Sequence, residues 1–120
     1  MSLIDTPNMI FLERYLDLAA FRQTLVATNL ANVDTPGYQT RDVAFQSELT
    51  WASFDGFKSP LKPLVRPVYG LIERPDGNNV SLDREGLLLA QTQLQFKAAI
   101  EFIRAEFHGM LGAINDGKES

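Results

Sequence analysis

Catalysis in a chain of 120 residues needs a nucleophile with a base, a carboxylate pair, or a cluster of metal ligands. His108 is the single histidine, and it falls in a helical stretch between Phe107 and Gly109. A base or ligand needs a partner one turn away, and the nearest polar candidate, Arg104, is no ligand. A surface or interface histidine is the reading that follows, and a serine triad loses its base with it. Cysteine is absent, which removes a thiolate nucleophile, a disulfide framework and a sulfur-rich zinc site. The fifteen Asp and Glu residues are scattered, with no catalytic pair that spacing singles out.

Asp76-Gly77-Asn78-Asn79 imitates the start of a calcium loop, but the frame fails. Val80 stands where the fifth ligand belongs, Ser81 where the glycine belongs, and Leu87 where the closing glutamate belongs. A turn feeding a helix accounts for the segment better. No glycine loop suited to phosphates is present, so the sequence points away from an enzyme and implies no cofactor.

Charge and composition narrow the partners. An apolar content of 45% with 22% charged residues is ordinary for a globular chain, and a net charge of −4 offers no basic stripe for a polyanion. Nucleic acid is therefore not an expected partner. The N-terminal stretch lacks a basic leader and is interrupted by Asp5, Glu13, Arg14 and Asp17, so no cleaved signal peptide is expected. The longest uncharged apolar run, near Gly86 to Ala90, is far short of the roughly 20 residues of a membrane span, and the chain is expected not to cross a membrane.

The elements that would carry any function are helices at the two ends. Thr6-Pro7 is a helix start, with a hydroxyl cap and proline at the first helical position. From there a seam of Met9, Leu12, Leu16, Ala19, Gln23, Val26, Leu30 and Val33 keeps coiled-coil-like spacing. Phe11, Leu18 and Leu25 form a second row, with Tyr15 and Phe21 also off the seam, and one partner helix cannot cover all of them. A C-terminal helix opens near Ser81, with Asp83 and Glu85 at the positive end of its dipole. Leu87, Ala90, Leu94, Ala98, Phe102, Ala105, Gly109 and Ala113 mark one face. Leu89, Thr92, Phe96, Ala99, Ile103, Phe107, Met110 and Ile114 mark a nearly opposite one.

A helix apolar on two faces in so short a chain implies assembly with neighbours, the alternative being a loosely amphipathic helix in a small bundle. Leu12, Leu16, Val26, Leu30, Leu87, Leu94, Phe96, Phe102, Ile103, Phe107 and Met110 are the expected assembly residues. The organisation predicted is mainly α. An N-terminal helix and turn span 1–45. An extended, proline-rich middle spans 46–79, with a short strand pair over Leu64 to Glu73 and a turn at Pro75 to Asn78. A C-terminal helix spans 80–120, and the two helices form a coiled-coil-like core.

Between the first helix and the middle lies Asn29-Leu30-Ala31-Asn32-Val33-Asp34-Thr35-Pro36-Gly37-Tyr38. Proline fixes φ and glycine supplies positive φ, the type II pattern, so the helix ends near Asn32 or Val33 with Asn32 suited to a left-handed cap. Tyr38 is placed to pack back on the helix.

Asn29, Asn32, Thr35, Pro36, Gly37 and Tyr38, with Arg41-Asp42-Val43-Ala44-Phe45 and later Asp76-Gly77-Asn78-Asn79-Val80, resemble the signature of bacterial flagellar rod and hook proteins, the proximal-rod type in particular. The resemblance covers both terminal helices and the joints beside them. It implies a structural rod subunit that packs its terminal helices into a tubular core around an export channel. The implied partners are further copies, other rod subunits, the rod–membrane-ring adaptor, the membrane ring and the flagellar type III export apparatus. The implied location is the periplasmic rod of the basal body. A cytoplasmic helical adaptor or export chaperone is the competing reading.

Overall fold

The computed structural model describes residues 6–119, so Asp5, read above as interrupting any leader, lies outside the described residues. Thr6 Oγ1 accepts the Met9 N–H at 3.2 Å and Pro7 opens helix α1, Pro7–Ala31. Strand β1 (Arg41–Val43), helix α2 (Phe45–Ser53), strand β2 (Val65–Pro67) and helix α3 (Leu82–Glu119) follow. The fold is mainly α, as the sequence predicts, and the described residues hold a single two-stranded sheet. Ser81 caps α3, its Oγ accepting the Arg84 N–H at 3.2 Å while its carbonyl takes the Glu85 N–H at 3.0 Å.

Helices α1 and α3 run antiparallel. Asn8 near the start of α1 bonds Glu106 late in α3 at 3.0 Å, and Asn29 near the end of α1 bonds Glu85 early in α3 at 3.2 Å. The molecule is consequently long, measuring 72 × 26 × 18 Å. It exposes 8005 Å², against about 6500 Å² for a compact monomer of its mass.

Three expectations are corrected. The middle segment is not wholly extended, because Phe45, Leu49 and Ala52 recur at helical spacing and form the inward side of α2. No strand pair forms within Leu64 to Glu73. Instead β2 pairs antiparallel with β1, with Arg41 opposite Pro67, Asp42 opposite Arg66 and Val43 opposite Val65. Asn32 is not a left-handed cap, since its φ is −105°. Its N–H is shared between the carbonyls of Thr28 and Asn29, and the Val33 N–H bonds Leu30, so the helix leaves through a tightened last turn.

The second row on α1 finds its cover in the middle segment. Leu18 and Ala19 join Val43, Phe45 and Leu49 in one buried cluster, with Phe11, Tyr15, Leu25 and Val65 packed on it. Tyr15 meets Phe45 edge-on at 5.3 Å, and Phe11 meets Phe57 in the same manner at 5.1 Å. Leu12 and Val26 of the seam are also buried, as are Leu88, Thr92 and Ala99 of α3. Helix α1 therefore has its second row packed and its seam partly covered within the chain.

Candidate functional site

Two places stand out, a buried polar joint and an open apolar face. The joint begins where α1 ends. Gly37 holds φ +75° and the Tyr38 N–H bonds the Thr35 carbonyl at 3.2 Å, closing the turn that the sequence predicts around Pro36. The turned chain brings Tyr38 back to α1, where its hydroxyl donates to Asn29 Oδ1 at 2.8 Å. Burial raises the Tyr38 pKa, with Arg41 opposing and Glu85 adding to the rise. The hydroxyl therefore stays a donor.

Asn29 acts as a stand-in peptide. Its Oδ1 accepts the Arg41 N–H at 3.2 Å and its Nδ2 donates to the Arg41 carbonyl at 2.9 Å, the pairing a neighbouring strand would offer β1. The same Nδ2 reaches Glu85 Oε1 at 3.2 Å. Both Asn29 and Glu85 are fully buried.

Beside them lies a four-charge cluster. Arg22 of α1 grips Asp42 of β1 with Nε at 3.1 Å and a terminal nitrogen at 2.9 Å, a fork matched to the carboxylate. Arg84 of α3 takes the second Asp42 oxygen at 2.6 Å and Glu85 at 2.8 Å. Burial alone would raise the Asp42 pKa. The hydrogen bonds from Arg22, the Val43 N–H and Arg84, together with the Arg22 charge, outweigh it and hold the carboxyl below its ordinary range. Three elements are thus tied at one carboxylate.

The open face belongs to α3. Leu87, Leu94 and Phe102 are 70%, 68% and 64% exposed, and Ala90, Ala98 and Ala105 of the same row are exposed as well. The opposite row, with Thr92 and Ala99 buried and Phe96 and Ile103 half-buried, faces the body of the molecule. Phe102 also borders an apolar groove of about 160 Å³ shared with Phe11, Leu12, Tyr15, Ala98 and Ala99. Further along, Phe107, Leu111 and Ile114 are exposed and Met110 is half-buried.

The structure sorts the expected assembly residues accordingly. Leu12 and Val26 are buried within the chain, Leu16, Leu30, Phe96, Ile103 and Met110 are half-buried, and Leu87, Leu94, Phe102 and Phe107 are open. Of the motif residues, Asn29, Asn32, Thr35, Gly37 and Tyr38 converge on the joint, with Pro36 at its exposed corner. The sequence reading missed Arg22, placed Asn78 and Asn79 in a turn, Glu85 at the helix dipole and Asp42 in a motif, and gave none of them its buried hydrogen-bonding role. Their partners lie 20 to 56 residues away, so no local pattern announces them. His108 is exposed on α3, and among the described residues no group of three His, Asp or Glu is placed to hold a metal. No helix of the described residues is long and apolar enough to cross a membrane.

A covered inner helix, an open-faced outer helix and a locked joint between them define a helical subunit whose chemistry is packing. No protein-family model matches the chain. Curated relatives do. The flagellar basal body rod protein FlgB of Escherichia coli K12 is 32% identical over 127 aligned positions, covering 89% of this chain and 92% of that protein. The FlgB of Bacillus subtilis is 29% identical with the same coverage, and that of Borrelia hermsii is 35% identical over 68% of this chain and 76% of its own length. The chain belongs to the FlgB family of flagellar basal body rod proteins.

Proposed function

We propose that this chain is a structural subunit of the flagellar basal-body rod and joins it through the open face of α3, with Leu87, Leu94, Phe102 and Phe107 as the residues that neighbours cover. The supporting observation is that Leu87, Leu94 and Phe102 form an apolar, solvent-facing row opposite the packed Thr92, Phe96, Ala99 and Ile103, and that Phe107 is exposed beyond them. Leu16, Leu30, Phe96, Ile103 and Met110 then border the contact, while Leu12 and Val26 hold the subunit together. The neighbours are further copies and other rod subunits, and at the base the rod–membrane-ring adaptor and the membrane ring. Delivery to the periplasmic rod runs through the flagellar type III export apparatus.

Leu94→Glu and Phe102→Glu test the reading. Each should give a folded subunit with unchanged helix content that is excluded from isolated basal bodies, because a charge sealed in an apolar contact lacks a partner. Normal incorporation of both variants would remove this face from the assembly.

A further inference from the structure

Asn78 lies outside the helices that the proposed assembly uses, yet it is completely buried. Its Nδ2 donates to the carbonyls of Asn32 at 2.8 Å and Thr35 at 2.9 Å, where the chain leaves α1. Its Oδ1 accepts the Val80 N–H at 2.9 Å, just before α3. The backbone of Asn78 is satisfied too, its N–H by Asp76 Oδ1 at 3.0 Å and its carbonyl by the Arg74 N–H at 2.8 Å. Two carbonyls on one side and an N–H on the other fix which way the amide points.

The turns on which these groups sit are in direct contact. The Gly37 N–H bonds the Asp76 carbonyl at 2.8 Å, Gln39 Nε2 bonds the Gly77 carbonyl at 2.7 Å, and Arg74 donates to the Val33 carbonyl. A Cβ on Gly77 would stand 3.3 Å from the Gly37 Cα, a tight contact that puts the two backbones side by side. A helix end leaves carbonyls that need donors. Here the donor comes from 43 and 46 residues away.

We propose that Asn78 is a positioning residue, a cap for the exit of α1 supplied by the segment that starts α3, and that its amide couples the two junctions into one clasp. The exit direction is then a property of both turns together and not of Thr35–Tyr38 alone. Its importance for rod assembly rests on the function proposed above.

Asn78→Asp in the full chain tests the clasp by amide hydrogen exchange. A carboxylate facing two carbonyls removes both donations, so at neutral pH exchange should rise about tenfold or more at Asn32 and Val33 and, in step, at Val80 and Glu85. Arg74 and Asp76 are the charged neighbours on its own turn, and the groups that meet it from α1 are uncharged carbonyls. Proton uptake restores one O–H donor, so acidification toward pH 4 should recover protection relative to wild type at the same pH. Lys62→Ala, exposed between α2 and β2, should leave both junctions within about twofold. If Asn78→Asp does not fold at neutral pH, Asn78→Ser, which keeps one donor, should show the same paired rise to a smaller extent. Faster exchange confined to residues 74–80, or no recovery in acid, would overturn the clasp. Paired loss of protection with normal incorporation into basal bodies would uphold the clasp and overturn the role of this joint in assembly.

Discussion

The joint and the outer face of α3 solve opposite problems with opposite chemistry. At the joint, Asn29, Asn78 and Glu85 are buried and almost every buried polar atom has a partner, although Glu85 Oε2 and Thr40 Oγ1 have none among the described residues. On the outer face of α3 the side chains are apolar and open. Polar networks tolerate few alternative geometries, because a misplaced donor leaves a buried group unpaired. Apolar contacts tolerate many. The molecule fixes its own shape with the first kind of interaction and keeps the second kind for surfaces left uncovered.

The contrast can be broken from the joint side first. Asp42→Ala leaves Arg22 and Arg84 facing each other without their shared carboxylate, and should cost about 3–5 kcal/mol of stability in urea unfolding. A loss under 1 kcal/mol would mean that the cluster is solvated in solution. Gly37→Val comes next. A Cβ there meets nothing within 4 Å, so only the positive φ opposes it, at about 1–3 kcal/mol, and Gly37→Asn should cost less. Equal losses for the two variants would remove positive φ as the reason for glycine.

Acid titration sharpens the same comparison. Because the folded Asp42 pKa lies below its unfolded value, its contribution is present above the unfolded pKa, about 4, and is lost as pH falls through the folded one. Asp42→Asn should flatten the acid limb of stability against pH, and an unchanged limb would assign the loss to other carboxylates. On α3, Ile103→Glu should destabilise the isolated subunit by about 2 kcal/mol, since its row faces the body of the molecule. Leu87→Gln on the open row should stay within about 0.5 kcal/mol. Similar values for the two would erase the distinction between the faces. His108→Ala should move stability least of all.

How much of this was legible in the sequence follows the range of each interaction. Thr6 with Pro7, and Ser81 ahead of Asp83 and Glu85, announce helix starts through contacts within one turn. The two rows of α3 were readable because a helix repeats its faces regularly. That one row would be packed and the other open was not, since periodicity does not say what lies alongside. Helix α2 escaped notice because only Phe45, Leu49 and Ala52 mark its inner side and Ala44 supplies no side-chain cap. The pairing of β1 with β2 skips over that helix, so a hairpin nearer to hand was the natural error. Asn29 was read as part of a motif, but its imitation of a strand depends on where Arg41 arrives after the turn.

Among the described residues, helix α3 outruns α1. Beyond Glu106, which meets Asn8 near the start of α1, residues 107–119 extend for about 20 Å at 1.5 Å per residue. So short a helical length, taken alone, is marginal in water, and holding it straight costs conformational entropy on the order of 1 kcal/mol or more per residue. A surface that receives Phe107, Leu111 and Ile114 must offset that ordering before any net affinity remains. A solitary pair of molecules is therefore a weak match, and a site that touches the overhang from several sides at once is a strong one. In the assembly proposed above, the projecting helix sets a threshold that favours growth on an existing platform over spontaneous clustering in solution.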